Sequence, residues 1–319
     1  GNNSPAACIP RRLNEYFRSK RQFLKGILPS MKKYLLLFLC ITVWLGVLVG
    51  LRGFAAAEAS VPAGSVRVRT ESGMLELDLE EYVAALLSAA MPENYPEEAL
   101  RAQAVILRTQ TRRALESGVP HEDGAFCAGC ESCFPFSAQV TAASRDAARA
   151  TAGEVLRYDG ALIDARFHLS SCEYTASAYE LLGEDIPYLV SVDTPDETAF
   201  SAFVNTVTIP LDRLAAAFPD RALSFAESDL YLSYYDSGRI KNVFFGDTAI
   251  AGGALAATFS LCSQRFDAVI CDGALVVTTY GYGDGLGLSQ YGAYLLAKNG
   301  QTYKDILLHY YRGAEISAI

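Results

Sequence analysis

The stretch Leu79-Glu80-Glu81-Tyr82-Val83-Ala84-Ala85-Leu86-Leu87-Ser88-Ala89-Ala90-Met91-Pro92 decides how this chain folds. Tyr82, Val83, Leu86 and Leu87 recur at helical spacing on one face, so the stretch reads as an amphipathic helix. Pro92 ends it, because the residue before a proline disfavours helical backbone. Upstream, residues 66–69 and 74–79 alternate apolar and polar side chains around Ser72-Gly73, the pattern of a β-hairpin. Downstream, Pro96-Glu97-Glu98 opens a second helix that runs to about residue 116, since proline and acids suit a first turn. Its apolar positions are Ala99, Ala102, Val105 and Ile106. A hairpin feeding two helices, without strict βαβ alternation, predicts an α+β domain.

The remaining chain continues in that style. Residues 138–150 read as an Ala-rich helix, and 154–167 as a hairpin turned at Asp159-Gly160. A strand over 206–209 precedes a helix from Leu211. A short strand pair flanks Gly246-Asp247, and 274–279 forms another strand. Two helices, over 288–298 and 302–311, close the chain, and no solenoid repeat is present.

Charge divides the chain in two. Residues 1–52 carry nine Lys/Arg and one acid, which leaves 18 bases and 35 acids in residues 53–319. A body this acidic repels phosphate backbones and excludes nucleic acid as a partner. Residues 34–51 are an apolar run of 18 residues without a formal charge, preceded by Lys32 and Lys33. As a helix the run spans about 27 Å, enough to cross a bilayer core. We therefore expect a basic cytoplasmic segment at 1–33, a single-pass anchor at 34–51 and an extracytoplasmic body at 60–316. Ala55-Ala56-Ala57 resembles a signal-peptidase site, so cleavage is the alternative to a retained anchor. Met31-Lys32-Lys33 has the form of a natural start, and residues 1–30 are set aside from the fold.

Eight cysteines are unevenly placed. Cys127, Cys130 and Cys133 form C-x2-C-x2-C, with His121 six residues before the first. Three thiols and an imidazole supply the four ligands of tetrahedral zinc, with Gly124 and Gly129 letting the loop fold back. The competing reading is a local disulfide with one thiol over. A site filled by four protein ligands has no open position, so the zinc would be structural. Cys262 and Cys271 are candidates for a hairpin disulfide, and Cys172 for a buried thiol.

Several segments together resemble the stage II sporulation protein D (SpoIID/LytB) family. They are Leu79-Glu80-Glu81-Tyr82-Val83, Met91-Pro92, Glu98-Ala99-Leu100-Arg101-Ala102-Gln103-Ala104-Val105, Thr151-Ala152-Gly153-Glu154-Val155-Leu156, Phe167-His168 and Ser170-Ser171. A glycine-rich signature, Gly281-Tyr282-Gly283-Asp284-Gly285-Leu286-Gly287-Leu288-Ser289-Gln290-Tyr291-Gly292-Ala293, follows near the C-terminus. Order and spacing cover residues 65–315. The resemblance implies a mixed α+β domain with a helical cleft region, behind one transmembrane helix. It also implies a membrane-anchored peptidoglycan lytic transglycosylase of sporulation (engulfment), with amidase enhancers among its relatives. Its partners would be peptidoglycan glycan strands and other sporulation cell-wall proteins. The cysteine loop is similar to the zinc loop of clostridial members: His121, Cys127 and Cys133 match, Ser132 replaces a second His, and Cys130 is the substitute ligand.

A lytic transglycosylase protonates the glycosidic oxygen with one carboxylic acid. The resulting carboxylate then deprotonates the muramyl 6-hydroxyl to close a 1,6-anhydro ring. The family resemblance places that Glu immediately before Met-Pro, where this chain has Ala90. A methyl group moves no proton, and losing a general acid–base group costs about 10²–10⁴ in rate. Glu93, Glu173 and Asp284 are the carboxylates that could replace it. The bland readings are a solvated loop acid for Glu93 and a turn-former for Asp284. Asp284 stands where the family has His between glycines, and Cys172 and Glu173 stand where it has Gly. His168, Ser170, Ser171, Tyr282, Ser289, Gln290 and Tyr291 are the candidate substrate-binding residues, with a structural histidine as the plain alternative for His168. Two functions follow: a glycan-cleaving enzyme with an unusual acid, or a non-catalytic peptidoglycan-binding scaffold or amidase enhancer, a pseudoenzyme.

Overall fold

The computed structural model describes residues 64–319 apart from 72, 119, 120, 122, 129, 131 and 132. The basic segment and the apolar run at 34–51 lie outside the described residues. Among those described, no helix is long and apolar enough to cross a membrane.

Strands β1 (Ser65–Thr70) and β2 (Gly73–Asp78) pair antiparallel from Ser65↔Asp78 to Thr70↔Gly73, and the short β3 (Phe126–Cys127) pairs parallel with β1. Asp78 then caps helix α1 (Leu79–Ala90) by accepting a hydrogen bond from Glu80 N at 2.9 Å. The helix ends at Ala90, and Met91 is extended (φ −141°, ψ 140°), as Pro92 demands. Helix α2 (Glu97–Ser117) runs centrally and is buried on two faces. Leu100, Ala104 and Leu107 join a core with α1, the hairpin and α3 (Ala142–Ala150). Ala99, Ala102, Val105 and Ile106 join a second core with β4 (Glu154–Tyr158), α7 (Gln290–Lys298) and α8 (Tyr303–Tyr310).

One ion pair, buried on its arginine side and half-buried on its glutamate side, ties these helices together. Arg108, fully buried on α2, donates through Nε to Glu80 Oε1 at 3.0 Å and through Nη2 to Glu80 Oε2. Its remaining donors reach Ala148 O at 2.9 Å and Glu154 O at 3.2 Å, so each polar group of the guanidinium has a partner.

A third core belongs to the stretch 204–280. It holds the sheet β11 (Phe266–Cys271), β12 (Ala274–Tyr280) and β7 (Val204–Pro210), and the sheet β10 (Thr248–Ala251), β9 (Ile240–Phe245) and β8 (Leu230–Tyr234). The short helix α4 (Ala178–Leu182) precedes this stretch, and helices α5 (Leu211–Ala217) and α6 (Gly252–Thr258) complete the third core. Two small sheets remain. Strand β14 (Glu315–Ala318) joins β4 and β5 (Ala161–Leu162), and β6 (Phe167–His168) pairs parallel with β13 (Leu288–Ser289). Among the described residues there are eight α-helices and several small sheets, an α+β fold, and residues 61–319 form one compact unit.

Several local expectations are corrected. The hairpin over 154–167 closes early: only residues 161–162 return along β4, and Phe167-His168 leaves to pair with β13. The helix expected over 138–150 starts at Ala142, because Thr141 caps it by accepting from Ser144 N at 3.2 Å. The helix expected from 288 starts at Gln290, since Leu288-Ser289 is engaged as a strand and Ser289 is the cap. Cys262 and Cys271 are both free thiols. Cys271 ends β11, with its Sγ 3.5 Å from Asp272 Oδ2, and Cys262 lies before the strand. Cys172 is a free thiol but only half-buried.

Candidate functional site

The C-terminal end of α1 opens onto a groove of about 390 Å³ in which Ala90 is one wall. Facing residues come from chain segments far away in sequence. Parallel pairing of Ser289 with His168, and a bridge between Ser170 and Tyr282, lay the glycine-rich stretch against residues 167–170. The bridge is reciprocal: Ser170 N donates to Tyr282 O at 3.0 Å, and Tyr282 N to Ser170 O at 2.7 Å. This brings His168, Tyr282, Asp284 and Gln290 to the groove. Gln290, in the first turn of α7, donates through Nε2 to Ala90 O at 3.2 Å and so ties α7 to the end of α1. Phe134 and Pro135, from the cysteine loop, form the remaining wall, and Phe134 stacks on Phe167 with centroids 5.5 Å apart.

The chemistry available in this groove is specific. His168 is buried, and its Nδ1 lies 3.2 Å from Leu286 O, which requires Nδ1–H to donate and leaves Nε2 as an acceptor. Burial pushes its pKa down to about 3, so the ring is neutral at ordinary pH. Asp284 sits exposed at the groove's lip. Crowding by surrounding chain raises its carboxyl above the usual range, although Oδ1 accepts from Leu286 N at 2.9 Å. Tyr282 is 37% exposed and presents its ring to solvent.

The other candidates lie elsewhere. Glu93 is exposed beyond Pro92 and does not line the groove. Glu173 and Ser171 line a second, larger groove. Ser289 is buried as the cap of α7, with its Oγ donating to Glu197 Oε2 at 2.8 Å. Ser170 is buried in the bridge to Tyr282, and Tyr291 packs between Phe200 and Tyr294.

Two buried charged residues behind the groove carry no sequence signal. Glu197 is 2% exposed and accepts from Ser171 N and Ser289 Oγ, both at 2.8 Å. Burial nevertheless pushes its carboxyl up to about 7. Gly292 is required beside it, because a Cβ there would lie 2.7 Å from Glu197 Oε1 and 2.2 Å from Tyr310 Oη. Arg239, equally buried, reaches from the third core to Tyr174 O at 2.9 Å, and desolvation lowers its pKa to about 10. Asp196-Glu197 reads as a pair of loop acids, and Ser237-Gly238-Arg239 as a turn. Only the packing of α7 and the glycine stretch over them puts them inside.

The four predicted ligands of the cysteine loop converge. His121, Cys127, Cys130 and Cys133 present ligand atoms that all lie within 4.8 Å of one another. His121 Nε2 is 3.6 Å from Cys130 Sγ and 3.5 Å from Cys133 Sγ. Those separations match the edges of a tetrahedron with Zn–S near 2.3 Å and Zn–N near 2.0 Å, so the donor set fits zinc. The site directly precedes Phe134, so whatever fixes Cys133 also fixes a wall of the groove.

Residues 69–158, which hold α1, α2 and the cysteine loop, match the SpoIID family model, described as stage II sporulation protein. Stage II sporulation protein D of Bacillus subtilis (strain 168) is 26% identical over 284 residues, covering 84% of this chain and 82% of that protein. Residues 69–158 thus carry a SpoIID-type domain, and the chain is similar to stage II sporulation protein D over most of its length. Stage II sporulation protein D of Bacillus amyloliquefaciens is likewise 26% identical, over 84% of this chain and 83% of its own length. A third relative, the amidase enhancer of Bacillus subtilis (strain 168), is 26% identical over 72% of this chain but only 39% of its own length. The residues that the family model matches include Ala90.

Proposed function

We propose that this SpoIID-like protein holds peptidoglycan glycan strands in the groove at Ala90 during sporulation without cleaving them. The observation that carries the reading is the methyl group of Ala90 at the groove wall, among His168, Tyr282 and Gln290. Of those three, Tyr282 is exposed and presents an aromatic face suited to a sugar ring, while the buried His168 and Gln290 shape the floor beneath it. A proton donor for the glycosidic oxygen has to stand in the same wall, and alanine has none. On this reading residues 34–51 anchor the protein in the membrane with the groove outside. A structural zinc at His121, Cys127, Cys130 and Cys133 holds the loop that carries Phe134.

The second reading is cleavage with a relocated acid, and one observation favours it: Asp284 lines the same groove and its carboxyl is raised. Its bond from Leu286 N weighs against it, because that bond stabilises the carboxylate. Incubating denuded glycan strands with the protein and with its Ala90→Glu variant separates the two. The expected result is strand binding by both, anhydromuramyl product from the variant, and little or none from the parent. Abundant anhydro product from the parent, lost on Asp284→Asn, would establish the relocated acid instead.

A further inference from the structure

The three sulfurs of the cysteine loop are not equally placed, and none of them is in a disulfide. Cys133 is buried in the core of α1 with Tyr82 and Phe126, Cys127 is half-buried at the end of β3, and Cys130 is exposed. Cys127 and Cys130 share one tight turn, in which Cys130 N donates to Cys127 Sγ at 3.3 Å. Cys133 is held from both sides of that turn. Its Sγ accepts from Cys127 N at 3.4 Å, and its own N–H donates to Cys130 O at 3.1 Å. All the donor atoms lie within 4.8 Å of one another, so a short closure brings two sulfurs to the bonded distance of about 2.05 Å.

Two thiols at C-x2-C spacing, one of them open to solvent, suit a dithiol that oxidises and is reduced again. An oxidant reaches the exposed sulfur first, and a neighbouring thiol resolves the product before oxidation goes further. We propose that Cys127 and Cys130 close a reversible disulfide on contact with hydrogen peroxide, and that this bond and a zinc ion compete for the same two sulfurs. The competition rests on the structural-zinc reading above. In the first step the Cys130 sulfur takes one peroxide oxygen and becomes a sulfenic acid, while the other oxygen leaves as water. In the second, the Cys127 sulfur displaces hydroxide from the sulfenic sulfur, and that hydroxide takes the Cys127 proton to become a second water. Two thiols and one peroxide give one disulfide and two waters, with two electrons passing from sulfur to oxygen. His121 and Cys133 are then the two donors left, too few for a closed tetrahedral site.

The change stays local and ends at the groove wall. Beyond Cys133 the chain is fastened to α1: Phe136 stacks on Tyr82 with centroids 6.1 Å apart, and Ser137 N donates to Ala85 O at 3.2 Å. Phe134 stands between the loop and this fastening, so oxidation loosens residues 121–133 and the Phe134 wall while α1 keeps its place.

The test treats the full chain, reduced and loaded with zinc, with hydrogen peroxide. Remaining thiols are capped with N-ethylmaleimide, the protein is reduced, and the thiols so released are capped with iodoacetamide. Mass spectrometry should find the first label on Cys133 and the second on Cys127 and Cys130, with one zinc released per chain to a colorimetric indicator. Dithiothreitol with added zinc should restore thiols and metal together. Hydrogen exchange over residues 121–133 should quicken about tenfold on oxidation, with α1 still protected. Cys130→Ser should leave Cys127 reduced. Cys130→His keeps four donors and should need about tenfold more peroxide to lose its zinc. Sulfinic acid at Cys130 in place of a disulfide, a bond made to Cys133, zinc loss that dithiothreitol does not reverse, or a parent as resistant as Cys130→His would overturn the proposal. Zinc that stays bound over three reduced thiols would overturn the disulfide alone. A reduced chain that binds no zinc yet gives the same labelling would overturn the zinc reading and the competition, leaving the disulfide in place.

Discussion

At the scale of single residues, the groove depends on groups whose charge state is set by burial. Glu197 titrates at about 7 in the folded protein against an ordinary 4.5, because burial disfavours its charged form more than its hydrogen bonds favour it. A carboxyl with a raised folded pKa stabilises the fold fully below about pH 4.5, and that contribution is lost as pH rises through about 7. The shift corresponds to about 3 kcal/mol at most. His168 has the opposite slope: its depressed pKa costs stability as pH falls below about 6.5. Comparing the protein with Glu197→Gln by urea unfolding between about pH 4.5 and 7.5 cancels the histidine. The parent should lose stability relative to the variant as pH rises, and parallel profiles would show that Glu197 does not titrate in this range.

At the scale of elements, α1 and the cysteine loop set the groove's walls. The Arg108–Glu80 pair joins α2 to α1, with further bonds to α3 and β4. Removing Arg108 leaves the half-buried Glu80 without its cation and empties a buried site, so Arg108→Ala should destabilise the protein by about 2–4 kcal/mol. A loss below about 1 kcal/mol in chemical denaturation would mean that Glu80 finds water instead. The cysteine loop predicts one bound zinc per chain by elemental analysis. Chelation or Cys133→Ser should lower Tm by roughly 5 °C or more, at about 2–4 °C per kcal/mol for a domain of this size. Either change should also weaken glycan binding through Phe134. Purified protein with no metal and an unchanged Tm in chelator would dismiss the site.

At the scale of the molecule, the three cores are unequal partners. Helix α2 is shared by two of them, whereas the third is built from residues 204–280 and reaches the rest through a few links, among them the buried Arg239 on Tyr174 O and Gly283 N on Cys262 O. Segments with their own core open as units, so native-state hydrogen exchange should show β7 and β9–β12 opening while α1 and α2 stay protected. Equal opening free energies across all these elements would indicate a single cooperative unit.

The sequence by itself determined the elements whose cause is local. The α1 helix and its stop, the β1–β2 hairpin and the long α2 follow from periodicity, caps and a proline, each acting over a few residues. The His–Cys spacing named four ligands whose atoms do converge, because a short loop restricts where they can go. The expectation that Ala90 stands in the place of a carboxyl came only from the resemblance of its flanking residues to a family. Tertiary structure alone decided what faces Ala90. The groove is closed by a pairing of Ser289 with His168, and by Gln290 reaching back across 200 positions. It also decided that Glu197, in an ordinary polar loop, lies buried, while Glu173 and Asp284 open onto different grooves. Local pattern reports which face of an element is apolar; which distant element covers that face, and so which charges lose their water, is settled only when the chain packs.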